Sequence, residues 1–293
     1  MKIRTFQYRD LLFLRLVPFF FIFCCLSTIS CSNHDEEEVE DGQETVLRKA
    51  SYNILAIGNS FTDDGIAYLP NLIEEAGLKN VMVAKLVHAS TSLEFHYENL
   101  QSNDNVYYYY ESVGSAYERK RNNSILGCLE NQIWDVIVLQ QVSKKSGSYY
   151  TYQPYLNKLL EIIHEKQPEA EIAWHMTWAY SSKKDMFDSI RSAVIQMQKE
   201  TKIRTIIPSG ITIQNLRNTS INDELGLTRD GAHLNNIGRY AASCTWFETF
   251  FSKKYGISVK GNTYRIEDMD NNTAEVCQQQ AVLAVEQIME IIK

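Results

Sequence analysis

Three residues whose types can perform nucleophilic catalysis stand in two distant parts of the chain, namely Ser60, Asp230 and His233. A serine hydroxyl is a weak nucleophile until a histidine removes its proton, and that histidine needs a partner on its other ring nitrogen. Asp230 lies three residues before His233, near enough for its carboxylate to reach the ring if the loop curls. Considered separately, Ser60 or Asp230 would serve as a helix cap and His233 as a surface residue. An acyl-transfer site therefore requires a fold that brings residues 60 and 233 together.

The stretch before Ser60 predicts how the serine is positioned. A short, partly β-branched apolar run at residues 54–57 stops at Gly58, and a helical pattern follows. This order predicts a buried strand that feeds a helix. At the carboxyl end of a parallel strand, a serine lies beside the N–H groups that open the next helix and stabilise negative charge. Polar groups at the ends of other predicted strands, at residues 89–92, 140–141 and 175, are expected at the same edge, together with the loop at residues 230–233.

The rest of the chain alternates strand patterns with amphipathic helical patterns. Five strands are predicted, at residues 54–57, 81–87, 134–139, 171–176 and 204–207. Helices are predicted at residues 66–76, 93–100, 124–132, 154–166, 185–200 and 273–292, with another from near residue 235. Residues 106–111, with four consecutive tyrosines, fit either a strand or an aromatic surface segment. The alternation predicts an α/β fold, a three-layer α/β/α sandwich around a mostly parallel five-stranded, flavodoxin-like sheet.

The first thirty residues predict a targeting segment. A basic start precedes an apolar run at residues 16–26 and mostly small residues at 27–30, directly before Cys31. The run is short for a membrane-spanning helix, which needs about 20 apolar residues. The order resembles a bacterial lipoprotein signal, in which Cys31 becomes the lipidated N-terminus. Ordinary cleavage and an uncleaved anchor remain alternatives, because Thr28 departs from the usual leucine.

An acidic run at residues 35–41 follows the proposed lipid site. Such a run cannot bury apolar surface and is expected to be a solvated tether. It resembles the acidic patch of surface-exposed Bacteroidetes lipoproteins, with a plain spacer as the alternative. The expected plan is a signal peptide at residues 1–30, a tether at 31–50 and one domain at 51–293. The protein is expected to be anchored to the outer membrane of the cell envelope, with exposure on the cell surface as one alternative.

Composition and cysteine spacing exclude several classes of partner. The formal charge is −7 and the 29 Lys and Arg residues are scattered, so no nucleic-acid partner is expected. Cys128, Cys244 and Cys277 stand far apart, and neither they nor the histidines show metal-ligand spacing. No metal or other cofactor is therefore expected. One disulfide and three buried thiols both remain open for these cysteines.

Two motifs carry a resemblance to a known superfamily. Gly-Asn-Ser at residues 58–60 and Asp-Gly-Ala-His at residues 230–233 resemble the first and last motif blocks of the SGNH, or GDSL-type, hydrolases. Residues 58–62, 92–96, 139–140 and 174–179 most resemble the DUF4886 family of Bacteroidetes proteins. The resemblance implies a serine esterase in which Ser60 is the nucleophile, His233 the general base and then acid, and Asp230 the orienting carboxylate.

The same resemblance implies where the oxyanion hole lies. Its donors would be the Ser60 N–H, one N–H from the second block, at Ser90 or Ala89, and a side-chain amide from the third block, at Gln140 or Gln141. The chain departs from the superfamily here, because the second block lacks its glycine and the third has Gln-Gln where Gly-x-Asn-Asp is usual.

Three more polar or aromatic residues near the motifs are candidates for contact with substrate, namely Asn59, His175 and Trp178. A buried, hydrogen-bonded histidine is the alternative for His175, and shaping of the turn the alternative for Asn59. The expected reaction is removal of small acyl groups, acetyl foremost, from carbohydrate. The alternative is a non-catalytic carbohydrate-binding lipoprotein on a degenerate hydrolase fold, which the altered second and third blocks favour.

Overall fold

The computed structural model describes residues 52–183 and 185–292, which belong to one structural unit, Lys49–Lys293. The predicted signal peptide, the lipidation of Cys31 and the acidic tether lie outside the described residues.

Seven strands form one sheet. In chain order they are β1 (Tyr52–Gly58), β2 (Val81–Val87), β3 (Tyr108–Val113), β4 (Ala116–Arg119), β5 (Val136–Leu139), β6 (Glu171–His175) and β7 (Thr205–Ile207). Their order across the sheet is β4-β3-β2-β1-β5-β6-β7. The five strands from β2 to β7 in this order pair in parallel, and β3 and β4 add an antiparallel edge.

The predicted α/β fold with a mostly parallel sheet is confirmed, but the count of five strands is too low. The five predicted strands are the parallel ones, and the tyrosine-rich segment supplies β3, which pairs with β2 through Leu86 and Tyr109. Successive tyrosines of this strand face opposite sides of the sheet: Tyr109 is buried, while Tyr108 exposes 48% of its surface. An antiparallel strand with one covered face shows this two-residue period.

Nine helices flank the sheet in the described residues. They are α1 (Ser60–Gly65), α2 (Leu69–Glu75), α3 (Leu93–Ser102), α4 (Ile125–Asn131), α5 (Tyr155–Lys166), α6 (Met186–Thr201), α7 (Ser209–Leu216), α8 (Asn236–Phe247) and α9 (Asn271–Ile291). Helix α8 continues through a π turn (Glu248–Ser252) into a last turn (Lys253–Tyr255). Within the ranges that the structure covers, no helix combines the length and the apolar character needed to cross a membrane.

Two hydrophobic clusters, one on each face of the sheet, make the three layers. Ile54 and Ala56 of β1 join the cluster that α1, α2 and α8 cover. Leu55 and Ile57 join the cluster that α3, α4, α5 and α6 cover. Because neighbouring side chains of a strand point to opposite faces, a continuous apolar run is what a strand buried on both sides requires.

Two helix predictions need correction. The single helix expected after Ser60 is two helices, because α1 ends at Gly65 and α2 begins again at Leu69 with Pro70 in its first turn. Helix α7 is absent from the predicted helices, and it begins directly after β7 with Pro208 at its N-cap. The three described cysteines, Cys128, Cys244 and Cys277, are buried free thiols.

Candidate active site

The turn that carries Ser60 is held by its own sequence. Asn59 is the N-cap of α1, and its Oδ1 accepts a hydrogen bond from the Phe61 N–H over 3.0 Å. Ser60 is then the first residue of the helix, where its N–H has no acceptor within the helix. A Cβ on Gly58 would lie 2.1 Å from Thr62 Oγ1 and 3.1 Å from the Gln140 side chain. Glycine is therefore required where the end of β1 approaches the side chains of Thr62 and Gln140.

The loop that carries Asp230 and His233 is folded by the aspartate itself. Asp230 Oδ1 accepts hydrogen bonds from the backbone N–H of Ala232 over 2.9 Å and of His233 over 2.7 Å. Gly231 between them adopts φ +86°, a conformation that favours glycine. The Arg229 N–H donates to the His233 carbonyl over 2.8 Å and closes the loop.

Ser60, His233 and Asp230 meet in one hydrogen-bonded line. Ser60 Oγ lies 2.9 Å from His233 Nε2, and His233 Nδ1 lies 2.6 Å from Asp230 Oδ2. Hydrogen bonds from the backbone and ring of His233, and from the Ala232 N–H, lower the pKa of Asp230. The carboxylate therefore stays ionised at neutral pH and keeps the proton of the neutral imidazole on Nδ1. Nε2 is then free to accept the Ser60 proton.

A buried carboxylate joins the serine helix to the histidine loop. Asp64, one helical turn after Ser60 and 1% exposed, accepts the Leu234 N–H over 3.0 Å. Arg229 Nη1 donates to both its oxygens over 3.1 Å and also to the Leu234 carbonyl. Arg239 Nε lies 2.9 Å from Asp64 Oδ1, and the two residues form an ion pair. The Nε–H does not point at the carboxylate oxygen, so this contact is not a hydrogen bond.

Burial raises the pKa of Asp64, while Arg239 and Arg229 oppose that shift. The two guanidinium groups thereby favour the ionised carboxylate in a place where burial disfavours charge. Asp64 and Arg229 were not identified from sequence. The available signal was the placement of Asp64 one turn after the serine, on the side of α1 that carries Ser60.

A directional chain of hydrogen bonds crosses the carboxyl ends of all five parallel strands. Gln140 Oε1 accepts a hydrogen bond from Thr62 Oγ1 over 2.8 Å. His175 Nδ1 lies 2.8 Å from the same oxygen and must carry the proton, because an amide oxygen can only accept. His175 Nε2 therefore accepts from Ser209 Oγ over 3.0 Å. Gln140 Nε2 donates to Asn59 Oδ1 over 2.9 Å.

This chain of hydrogen bonds ends at the second motif block. Asn59 Nδ2 donates to the Thr91 carbonyl over 3.1 Å, and Thr91 Oγ1 donates to the Gly58 carbonyl over 3.2 Å. The neighbouring Ser90 is exposed and has φ 57°, the left-handed conformation that glycine adopts most easily. Ser90 thus keeps the backbone geometry of a glycine in spite of the changed residue type.

The structure separates the two glutamines expected near the oxyanion hole. Gln141 accepts the N–H groups of Leu93 and Val142 and donates to Thr151, so its amide is committed to holding loops. Gln141 Nε2 thus has both of its contacts with Thr151. Among the described residues, Gln140 Nε2 donates only to Asn59, which leaves one of its two hydrogens available.

The three expected substrate contacts are internal supports instead. Asn59, His175 and Trp178 are at most 2% exposed. Burial lowers the pKa of His175 to about 3, so its ring is neutral at ordinary pH. Trp178 stacks on Phe61 with 4.4 Å between ring centroids and donates its Nε1–H to the Ala232 carbonyl over 2.7 Å. The polar atoms of His175 and Trp178 are engaged by protein partners, whereas Asn59 Nδ2 donates one hydrogen, to the Thr91 carbonyl.

Across residues 52–183 and 185–292, no three His, Cys, Asp or Glu side chains gather in a way that could hold an ion.

Comparison with known proteins identifies relatives of this arrangement. The family model described as "Domain of unknown function (DUF4886)" matches residues 53–284. A DUF4886 family protein from Bacteroides uniformis is similar at 33% identity and a TM-score of 0.75, over 82% of this chain and 96% of that one. None of the curated proteins compared with the chain matches it.

More distant similarity concerns the fold. A protein from Parabacteroides merdae described as a GDSL-like lipase is 16% identical with a TM-score of 0.50, over 69% of this chain and 96% of that one. A protein from Slackia heliotrinireducens described as an SGNH hydrolase is 21% identical with a TM-score of 0.48, over 68% of this chain and 99% of that one. At such identities the first of these supports the hydrolase fold and no particular activity.

Proposed function

The chain belongs to the DUF4886 family, and from the geometry of its strand-end site we propose that it is a serine esterase. The observation that carries the proposal is the line from Ser60 Oγ through the His233 ring to the Asp230 carboxylate, with distances of 2.9 and 2.6 Å. A serine and histidine at such distances, with a third group orienting the histidine, are the parts that nucleophilic acyl transfer requires.

In the proposed mechanism, Ser60 Oγ attacks the ester carbonyl carbon while His233 Nε2 takes the serine proton. Asp230 stabilises the imidazolium that forms. His233 then gives the proton to the leaving alcohol oxygen as the carbon–oxygen bond breaks, which leaves an acyl group on Ser60. Water, deprotonated by His233, attacks this acyl-enzyme, releases the carboxylic acid and returns the proton to Ser60.

The oxyanion of the tetrahedral intermediate would be bound by three donors. They are the Ser60 N–H, the Ser90 N–H and the remaining hydrogen of Gln140 Nε2. The positive φ of Ser90 supports its part in this set, because the residue already has the backbone conformation of the glycine it replaces. Loss of one such donor costs roughly 10²- to 10³-fold in kcat in other hydrolases.

We propose small acyl groups on carbohydrate as the substrate. The pocket beside the site is lined by polar and apolar groups, among them Lys144, Lys183, Ser148, Tyr180 and Met186, and its charged groups favour a polar substrate over a long alkyl chain. Tyr150, in the same loop as Ser148, exposes 88% of its surface and offers a face on which a sugar ring can stack. Lipid attachment at Cys31, with the protein on the outer membrane of the cell envelope, belongs to the same proposal.

Hydrolysis of short esters tests the enzymatic part. Purified protein should release 4-nitrophenol from 4-nitrophenyl acetate and acetate from acetylated oligosaccharides, and Ser60→Ala should abolish both reactions. A folded wild-type protein that binds oligosaccharide but hydrolyses neither ester would favour the alternative, a carbohydrate-binding protein on a hydrolase fold.

A further inference from the structure

A pocket of about 600 Å³ lies at the sheet edge that carries Ser60. We call it the lysine pocket and define it by Lys144, Ser148, Tyr180, Lys183 and Asp185, which line it. Its two walls are the loops that follow β5 and β6, so both come from the carboxyl ends of parallel strands. Functional groups of open α/β sheets gather at this edge.

Phe61 and Ser181 link the lysine pocket to the elements that carry the proposed triad. The Tyr180 ring lies 6.4 Å from the Phe61 ring, and Phe61, next to Ser60 in sequence, lies 5.7 Å from the His233 ring. The Ser181 N–H donates to the Gly231 carbonyl over 2.9 Å, within the loop of Asp230 and His233. The lysine pocket therefore adjoins the helix that carries Ser60 and the loop that carries His233.

The charge of this pocket is opposite to that of the chain. The formal net charge is −7, yet each of the two loops carries a pair of consecutive lysines, at residues 144–145 and 183–184. Lys145 pairs with Glu94 over 3.5 Å, whereas Lys144 and Lys183 form no ion pair with any carboxylate in the described part of the chain. Asp185 is the opposing charge in the lining.

The pocket also offers a surface for a ring. Tyr180 is held by a hydrogen bond of 2.8 Å between its hydroxyl and Ser143 Oγ, and Lys183 Nζ lies 5.6 Å from the centre of its ring. An aromatic face beside an ammonium group suits a sugar ring that bears an anionic substituent.

Resting on the proposed esterase function, we infer that the lysine pocket binds a negatively charged sugar next to the acylated one. The natural substrate is then an acylated acidic glycan, whose charge comes from a uronate carboxylate or from a sulfate ester. Lys144 and Lys183 pair with that charge, and Tyr180 packs against the ring that carries it.

Binding to the Ser60→Ala protein tests this inference without turnover. Calorimetry would compare an acetylated uronate oligosaccharide, a sulfated one and a neutral acetylated xylo-oligosaccharide of equal length, at low and high salt. Lys144→Met and Lys183→Met should each weaken binding of an acidic ligand by roughly two- to fivefold at low salt, and added salt should reduce the difference. Lys79→Met, an equal charge change ahead of the amino end of β2, is the matched control and should have no effect.

Preference for the uronate or for the sulfated ligand would identify the source of the charge. The inference is overturned if Ser60→Ala binds neutral and acidic ligands equally, or if Lys79→Met weakens binding as much as the two pocket variants. Hydrolysis of 4-nitrophenyl acetate by the wild type decides the esterase function separately, so a failure of one proposal is distinguishable from a failure of the other.

Discussion

Gln140 Nε2 donates a hydrogen bond to Asn59 Oδ1 over 2.9 Å, and this bond ties the end of β5 to the turn that presents Ser60. The orientation of the Gln140 amide is fixed by its oxygen, because Oε1 accepts hydrogen bonds from Thr62 and His175. Each group in this buried chain can donate in one direction only, so the turn has a single hydrogen-bonded arrangement.

Gln140→Leu removes the centre of this chain. We expect a fall in kcat of roughly 10²-fold or more, from loss of an oxyanion donor and of the bond that orients Asn59. The buried partners left unpaired should cost about 1–3 kcal/mol each in the free energy of unfolding. Ester hydrolysis and urea unfolding measure the two effects.

Gln141→Leu is the matched control, because Gln141 is the adjacent residue, has the same side chain and is equally buried. It should lower the free energy of unfolding similarly but reduce kcat much less. Equal losses of kcat in both variants would contradict the separate role given to Gln140.

Arg229→Met tests the ion pair that joins the serine helix to the histidine loop. Arg229 contacts both Asp64 and the Leu234 carbonyl, so its loss should loosen the loop and lower kcat. Arg239→Met removes the other guanidinium at Asp64 from within α8 and should lower stability with a smaller change in kcat. A larger kcat loss in Arg239→Met than in Arg229→Met would show that the loop is not held through Asp64.

Stability should fall as the pH is lowered below about 6.5, the ordinary pKa of histidine. Burial lowers the pKa of both His175 and His96 to about 3, so both rings stay neutral in the folded protein while the unfolded chain takes up their protons. Because the unfolded state binds more protons in this window, the free energy of unfolding drops by up to about 1.4 kcal/mol per histidine and pH unit.

Urea midpoints between pH 7 and pH 5 measure this dependence. His96→Gln, at a position where Nδ1 lies 2.7 Å from the Tyr107 hydroxyl, removes one of the two titrating groups away from the proposed site. Its midpoint should change less with pH than that of the wild type. An unchanged slope would show that His96 does not remain neutral in the fold.

The parallel sheet was predictable because it rests on local patterns, whereas the meeting of Ser60 with Asp230 and His233 was expected from the resemblance of their two motifs to those of a known superfamily. An apolar run between turn residues gives a buried strand, and parallel strands bring their carboxyl ends to one edge. The antiparallel strand β3 was undecided because four consecutive tyrosines conceal which face each of them covers.

The supporting residues were not predictable for a different reason. Asn59, His175 and Trp178 have side chains equally able to bind substrate or to hold the fold, and only their partners decide between these roles. Those partners, such as Ser209 for His175 and Ala232 for Trp178, lie 34 and 54 residues away in sequence. The role of Asp64 likewise depends on its contacts with Arg229 and Leu234, which are distant in sequence.

Labelling with a fluorophosphonate probe tests the central claim most directly, because such a probe reacts covalently with an activated serine and needs no natural substrate. The account predicts that the wild type is labelled on the peptide containing Ser60, that Ser60→Ala is not labelled and that His233→Ala is labelled far more slowly. Equal labelling of the wild type and Ser60→Ala, or no labelling of a folded wild-type protein, would contradict the assignment of Ser60 as an activated nucleophile.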